Sequence, residues 1–129
     1  MTSTRPDIRN LLEERILIID GSMGALIMSA NPDEAFYRGE RLKDHPIDVK
    51  NATDLLVLTQ PQMISDIHQQ YLDAGADIIE TDTFNANLVS MEEFQLSHLT
   101  YEINKVGAEL ARGAADKATA RNTDRKSVV

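Results

Sequence analysis

Cysteine and tryptophan are absent from the 129-residue sequence. Without cysteine the chain can form no disulfide, no thiolate-ligated zinc site, no iron–sulfur cluster and no cysteine nucleophile. Cations are scarce as well, because 13 lysines and arginines stand against 21 acidic residues, for a formal net charge of -8 at pH 7. This negative charge repels phosphate backbones and anionic lipid surfaces, so the composition argues against nucleic acid and membrane as partners.

Long hydrophobic runs are missing too. No run of apolar residues is longer than four, as in residues 16–19, and the N-terminus is polar. The sequence therefore shows neither a membrane-spanning helix nor a signal peptide, and we expect a cytoplasmic protein. A chain of this length suffices for one domain, whose core would bury roughly two-thirds of the surface that the unfolded chain exposes.

Two short apolar segments have the pattern of buried parallel strands. The first is residues 16–19, which end at Asp20, and the second is residues 76–80. Between them, a capping box at residues 59–62 predicts the start of an amphipathic helix, which Gly75 would end. Strand, helix and strand in this order predict a right-handed parallel βαβ unit and an α/β fold.

Helical periodicity predicts further elements. A short leading helix is expected over residues 7–15, and a second capping box at residues 90–93 precedes a long helix over residues 97–118. Residues 127–129 have the pattern of the opening of a third strand. Segment 29–54 is too polar for a core element and long for a structureless loop, so we expect it to serve a site or an interface.

Polar residues follow each predicted strand. Neighbouring parallel strands lie about 4.8 Å apart and ligands bind at their carboxyl ends, so Asp20 and Glu80 are expected to face one small cavity. Gly21 and Gly24 would let the backbone approach a ligand closely. A helix cap or turn is the alternative interpretation of Asp20, and a solvated loop is the alternative for Glu80 and Asp82.

The three histidines do not predict a metal site. His45, His68 and His98 are too far apart in sequence to match any local ligand pattern. We expect His68 and His98 to lie partly exposed on helices.

Several of these segments closely resemble the amino-terminal end of cobalamin-dependent methionine synthase. The resemblance is carried by residues 15–24, 37–41, 54–61 and 74–85, and it extends from about residue 7 to residue 121. The first and last of these segments occur across homocysteine methyltransferases generally. The region from residue 37 to residue 61 is more specific to the cobalamin-dependent enzyme.

The resemblance implies an α/β fold that is the amino-terminal portion of a (β/α)8 barrel, with two βα units and the start of a third strand. Residues 1–15 would form the leading helix and residues 16–129 a partial homocysteine-binding domain. In the complete parent enzyme the activity would be methyl transfer to homocysteine, which gives methionine. Zinc, held there by three cysteines, and cobalamin belong to that parent, so we expect this chain to bind neither and to be inactive alone.

The resemblance also implies which residues bind substrate, with no catalytic or metal-ligating residue among them. The expected homocysteine-binding residues are Asp20, Gly21, Ser22, Glu80, Thr81 and Thr83. The sequence departs from the family pattern at Ala25, where threonine is usual, at residues 51–53, where Gly-Asn-Asn is usual, and at Asp82, where asparagine is usual. A carboxylate at position 82 disfavours a ligand carboxylate unless it faces the ligand's ammonium group or water.

Two other interpretations stay open. The chain is alternatively a non-enzymatic amino-acid-binding or interaction module, which would use the Asp20 and Glu80 cavity or self-associate through open sheet edges. It is otherwise the product of a truncated gene without function.

Overall fold

The computed structural model describes residues 7–121, and their regular structure is helical. Seven α-helices and two 3₁₀ helices occur within this range. The α-helices are α1 Ile8–Glu14, α2 Met23–Ser29, α3 Glu34–Arg38, α4 Leu56–Thr59, α5 Pro61–Ala74, α6 Leu88–Glu92 and α7 Thr100–Arg121; the 3₁₀ helices are Thr53–Leu55 and Ser97–Leu99. The predicted third strand at residues 127–129 lies outside the described residues.

The predicted α/β fold, with two βα units of a (β/α)8 barrel, is wrong. Within residues 7–121 the two apolar segments run side by side but form only one isolated parallel bridge, between Ile19 and Ile78. The Ile18 carbonyl accepts from the amides of Asp77 and Ile78, at 2.7 and 3.1 Å, and the Asp20 amide donates to the Ile78 carbonyl at 2.9 Å.

Two aspartate side chains explain why the ladder stops after one bridge. The Ile18 amide donates to Asp77 Oδ2 at 2.9 Å, and the Glu80 amide donates to Asp20 Oδ2 at 3.0 Å. Both amides therefore bind carboxylates, where a longer ladder would pair such amides with backbone carbonyls. The apolar pattern of residues 16–19 predicts a buried strand, but the Ile16 side chain is 86% exposed.

The core lies where α5 and α7 pack together, and α4 packs against both of them. Its main cluster includes Val57 of α4, Ile64 of α5 and Ile103 of α7, all fully buried. A smaller cluster joins Ile79, at the end of the bridge, to alanines of α7. The bridge segments therefore sit at one side of a helical core.

The predicted helices form, although their ends differ from the predicted capping boxes. Helix α5 begins at Pro61 as expected and ends at Gly75, whose φ of 114° is the left-handed conformation expected there. The first capping box is wrong, because Thr59 Oγ1 donates back to the Leu55 carbonyl at 3.4 Å. The second is wrong because Asn87 caps α6, accepting from the amide of Ser90 at 2.8 Å.

Segment 29–54 is folded around one guanidinium group. Arg38 Nε contacts Glu34 Oε1 at 2.6 Å, and its terminal nitrogens donate to the carbonyls of Leu42, His45 and Ile47. One side chain thus donates hydrogen bonds to three backbone carbonyls of a segment that has little regular structure. These hydrogen bonds explain how a segment with so many polar residues adopts a defined conformation.

Contacts to the second half of the chain hold the same segment in place. Arg41 Nη1 lies 2.6 Å from Glu102 Oε1 on α7, and His45 Nε2 lies 2.7 Å from the carbonyl oxygen of Phe94.

No helix among residues 7–121 has the length and apolarity needed to cross a membrane.

Gly107 of α7 marks a close approach between that helix and the loop after the second bridge segment. A Cβ there would lie 2.8 Å from Thr83 Cγ2, whereas a Cβ at Gly113, also on α7, would meet nothing within 4 Å. The helix backbone therefore packs directly on Thr83.

We predict opposite effects for alanine at these two glycines. Gly113→Ala should raise the free energy of unfolding by about 0.5–1 kcal/mol, because alanine favours the helix. Gly107→Ala should lower it by about 1 kcal/mol or more, because the new methyl displaces Thr83. Urea denaturation of both variants tests this, and equal stabilisation by both would contradict the packing described.

The partly exposed position expected for His68 is wrong. Its side chain is fully buried on α5, and neither ring nitrogen has a hydrogen-bond partner. Burial lowers the pKa of His68 below its ordinary value of 6.5. His98, in contrast, is exposed as predicted.

Replacing His68 by leucine should stabilise the protein. His68→Leu removes two unpartnered polar atoms and should raise the free energy of unfolding by about 1–2 kcal/mol at pH 7.5. The gain should grow by up to about 1 kcal/mol at pH 5.5, because the unfolded chain protonates His68 near 6.5 while the folded state resists it. Thermal denaturation at both pH values measures this, with His98→Leu as the exposed control; a loss of stability in His68→Leu would contradict it.

Candidate functional site

A cavity of about 290 Å³ lies at the end of the bridge, between the turn after Ile19 and the loop after Ile79. Its walls are formed by Asp20, Gly21, Ser22, Met23, Gly24, Thr53, Glu80, Thr81, Asp82, Phe84 and Asn85. Five of the six residues expected from the resemblance thus line one cavity. The sixth, Thr83, lies outside this lining.

Asp20 connects the two walls of the cavity. Its Oδ2 accepts from the Glu80 amide, while its Oδ1 is buried and has no hydrogen-bond partner. Burial raises the pKa of Asp20 above its usual value; the hydrogen bond from the Glu80 amide opposes this rise and the Glu80 charge adds to it. One oxygen therefore holds the fold, and the other is a buried acceptor without a partner beside the cavity.

The turn at Gly21 and Ser22 is held by α2 and α5. Ser22 Oγ caps α2 by accepting from the Ala25 amide at 3.0 Å, and the Tyr71 hydroxyl of α5 donates to the Ser22 carbonyl at 2.9 Å. A Cβ on Gly21 would lie 3.1 Å from that hydroxyl. Glycine at position 21 thus allows the tyrosine to fix this wall of the cavity.

Two threonines, one of them lining the cavity, hold the opposite wall in place. Thr81 Oγ1 and Thr83 Oγ1 lie 2.6 Å apart in a hydrogen bond, and the Thr83 methyl packs against Gly107 of α7. Thr81 faces the cavity, and Thr83 anchors it to the core from behind. Glu80, at the start of this loop, is exposed, which agrees with its interpretation as part of a solvated loop.

Asp82 is buried in the same wall, so the solvated-loop interpretation is wrong for this residue. Its side chain is 5% exposed, and its Oδ2 has no hydrogen-bond partner. Burial, and then the charge of Asp54, raise the pKa of Asp82 to about 7. Asp82 is therefore only part ionised at neutral pH.

Asp54 is a site residue that sequence reasoning missed. It is 3% exposed behind the cavity, and its Oδ2 accepts from the Asn85 amide at 3.1 Å. Burial raises the pKa of Asp54, against the effect of its backbone hydrogen bonds. No signal in the sequence indicated it, because its burial depends on how the 3₁₀ helix Thr53–Leu55 packs against α4 and α7.

The residues of this chain do not fit the zinc site that the resemblance implies for the parent enzyme. The sequence has no cysteine. Among residues 7–121, no group of three or more histidines and acidic residues is placed to hold a metal ion. Asp54 and Asp82 supply two carboxylates, which is fewer than the three protein ligands of a catalytic zinc site.

Comparison with known proteins identifies the family. The family model for homocysteine S-methyltransferase matches residues 17–129, which is most of the chain. The chain belongs to the homocysteine S-methyltransferase family.

Solved structures of a homocysteine methyltransferase share its fold. The metallated form of MmuM from Escherichia coli superposes with a TM-score of 0.71 at 19% sequence identity, and the oxidized form with 0.72 at 21%. Each match covers 95% of this chain and 38% of the MmuM chain. The chain thus spans well under half the length of these structures.

We predict that Asp82→Asn stabilises the protein by an amount that grows as the pH rises from about 4 to 7 and then levels off. The raised pKa means that folded Asp82 keeps its proton up to about pH 7, so the wild type loses stability as the pH rises from about 4 through 7. At pH 8 the variant should gain about 2–4 kcal/mol, and at pH 4 much less. Urea denaturation at both pH values measures the difference, and a gain that is equal at the two would contradict the assignment.

Proposed function

We propose that the chain is the amino-terminal, homocysteine-binding part of a cobalamin-dependent methionine synthase, and that alone it binds homocysteine without methylating it. The observation that carries this proposal is that five of the expected residues line the same cavity: Asp20, Gly21, Ser22, Glu80 and Thr81. Its volume of about 290 Å³ is at the lower end of the range for small-molecule pockets and suits a small amino acid.

The charges in the cavity suit the ammonium group of an amino acid. Asp20 Oδ1 is buried without a hydrogen-bond partner, and the exposed Glu80 carboxylate stands on the adjacent wall. A cation in the cavity would be attracted by both carboxylates, and the exposed Glu80 side chain would accept a charge-assisted hydrogen bond from it. Because Asp20 is already held by the Glu80 amide, little side-chain freedom is lost on binding.

The inactivity of the isolated chain follows from the chemistry of the acceptor. A free thiol has a pKa near 8.5 and is mostly protonated at neutral pH, whereas a bound metal holds it as the nucleophilic thiolate. This chain carries no zinc ligands of the expected kind, as its lack of cysteine shows. In the proposed parent enzyme, zinc and cobalamin are bound by residues outside this chain.

The assignment to the cobalamin-dependent enzyme, among homocysteine methyltransferases, is supported by the region from residue 37 to residue 61. That region carries the more specific part of the resemblance. In the structure it contributes Thr53 to the cavity wall and Asp54 to the Asn85 amide behind it. The segment that distinguishes the subfamily is therefore in direct contact with the site.

Isothermal titration calorimetry tests the proposal. The purified chain should bind homocysteine saturably, and Asp20→Asn should weaken binding by about tenfold because one carboxylate charge is lost. Asp44→Asn, an exposed aspartate outside the cavity, removes the same charge and should leave the affinity unchanged.

Two results would contradict the proposal. The absence of heat at millimolar homocysteine, or equal binding by Asp20→Asn, would show that the cavity is not the binding site. Methyl transfer to homocysteine by the purified chain without a complementing protein would show that its predicted inactivity is wrong.

A further inference from the structure

The turn between the bridge and α2 contains two glycines, so contacts from outside the turn are needed to hold it in one conformation. Residues 20–24 all line the cavity, and Gly21 and Gly24 are among them. Glycine adopts backbone conformations that other residues avoid, so neither position restricts the turn by itself. The position of this cavity wall therefore depends on what packs behind it.

Tyr71 of α5 packs behind the turn and binds it. Its hydroxyl donates to the Ser22 carbonyl at 2.9 Å, and a Cβ on Gly21 would lie 3.1 Å from the hydroxyl oxygen and 3.2 Å from ring carbon Cε1. The edge of the ring thus lies against the Gly21 backbone while the hydroxyl binds the next residue. Rotation of the planar peptide group between Ser22 and Met23 would break this hydrogen bond, so Tyr71 fixes the orientation of that group.

The backbone of the same tyrosine fixes the start of the second bridge segment. Its carbonyl accepts from the Ala76 amide at 3.0 Å, and the Leu72 carbonyl accepts from the Gly75 amide at 3.1 Å. These two hydrogen bonds form the Schellman motif that ends α5. The chain then runs through the bridge to residues 80–82, which line the opposite wall. Tyr71 is therefore connected to both walls of the cavity, to one by its hydroxyl and to the other through its carbonyl.

The ring of Tyr71 is anchored in the core, whereas its hydrogen bond is exposed. The ring is partly buried and packs against both hydrophobic clusters. The hydrogen bond to Ser22 lies at an exposed position, so water can bind the Ser22 carbonyl when the hydroxyl is removed. The hydroxyl group therefore matters more for the shape of the cavity than for the stability of the fold.

We propose that Tyr71 is a positioning residue for ligand binding, whose hydroxyl holds the turn at residues 20–24 in the conformation that accepts homocysteine. The proposal rests on the proposed function, since it concerns how the same cavity binds its ligand. Tyr71 lies outside the cavity lining, so it acts on the ligand through the turn. A wall that is already ordered loses less conformational freedom when a ligand binds, and the affinity is higher for that reason.

Calorimetric titration of the full chain with homocysteine tests the proposal, with Tyr71→Phe as the variant that removes only the hydroxyl. This variant should bind homocysteine about three- to tenfold more weakly, which is the range expected for the loss of one hydrogen bond. Its thermal midpoint should stay within about 3 °C of the wild type, because the ring still packs in the core. Tyr101→Phe makes the same change at a tyrosine that is 81% exposed on α7, and it should alter neither quantity.

Amide NMR spectra distinguish a positioning role from a general structural one. In ligand-free Tyr71→Phe, the signals of Gly21, Ser22 and Gly24 should broaden, because the turn then exchanges between conformations. Saturating homocysteine should sharpen them again. The signal of Gly113, on the outer part of α7, should stay as it is in the wild type.

The results separate this inference from the proposed function. If the wild type binds homocysteine and Tyr71→Phe binds it equally well, the inference is overturned and the proposed function stands. An unfolded Tyr71→Phe, or one whose thermal midpoint falls beyond the stated limit, also overturns the inference, because the hydroxyl then serves the fold. Equal weakening by Tyr101→Phe overturns it as well. A wild type that binds no homocysteine at millimolar concentration overturns both.

Discussion

The parallel bridge between Ile19 and Ile78 is the contact on which the rest of the site depends. It brings two segments together that are about 60 residues apart in sequence, and the carboxylates of Asp77 and Asp20 close it at its two ends. The buried Asp77 also forms an ion pair with Arg15, whose Nη2 lies 2.9 Å from Asp77 Oδ1. This ion pair attaches the end of α1 to the bridge. Asp20 projects beyond the bridge into the cavity. The feature that limits the ladder to one bridge thus also supplies the first residue of the site.

The burial of acidic side chains is the second constraint, because it lowers the stability of the fold beside the proposed binding site. The chain has a net charge of -8, and it buries both Asp54 and Asp82. Burial, and then the charge of Asp54, raise the pKa of Asp82 to about 7, so part of the stability of the fold is lost as the pH rises. An arrangement that costs stability in this way is typical of a binding site and unusual in a core.

Sequence reasoning succeeded where local periodicity decides structure and failed where side chains compete with backbone. The apolar stripe and Gly75 were enough to predict α5, and the meeting of Asp20 with Glu80 followed from treating the two apolar segments as neighbours. The strands themselves did not form, because carboxylates bind the amides that a ladder would need. The burial of His68 and Asp54 could not be read from one sequence either, since it depends on how α4, α5 and α7 pack.

The central claim is that homocysteine binds in the cavity beside the bridge. The most direct test is a two-dimensional amide NMR titration of the uniformly labelled chain with homocysteine. The account predicts that the largest shifts occur at the amides of Gly21, Ser22, Glu80 and Thr81, with little change at Gly113 on the outer part of α7. Shifts concentrated on the α5–α7 surface, or no shifts at millimolar homocysteine, would contradict it.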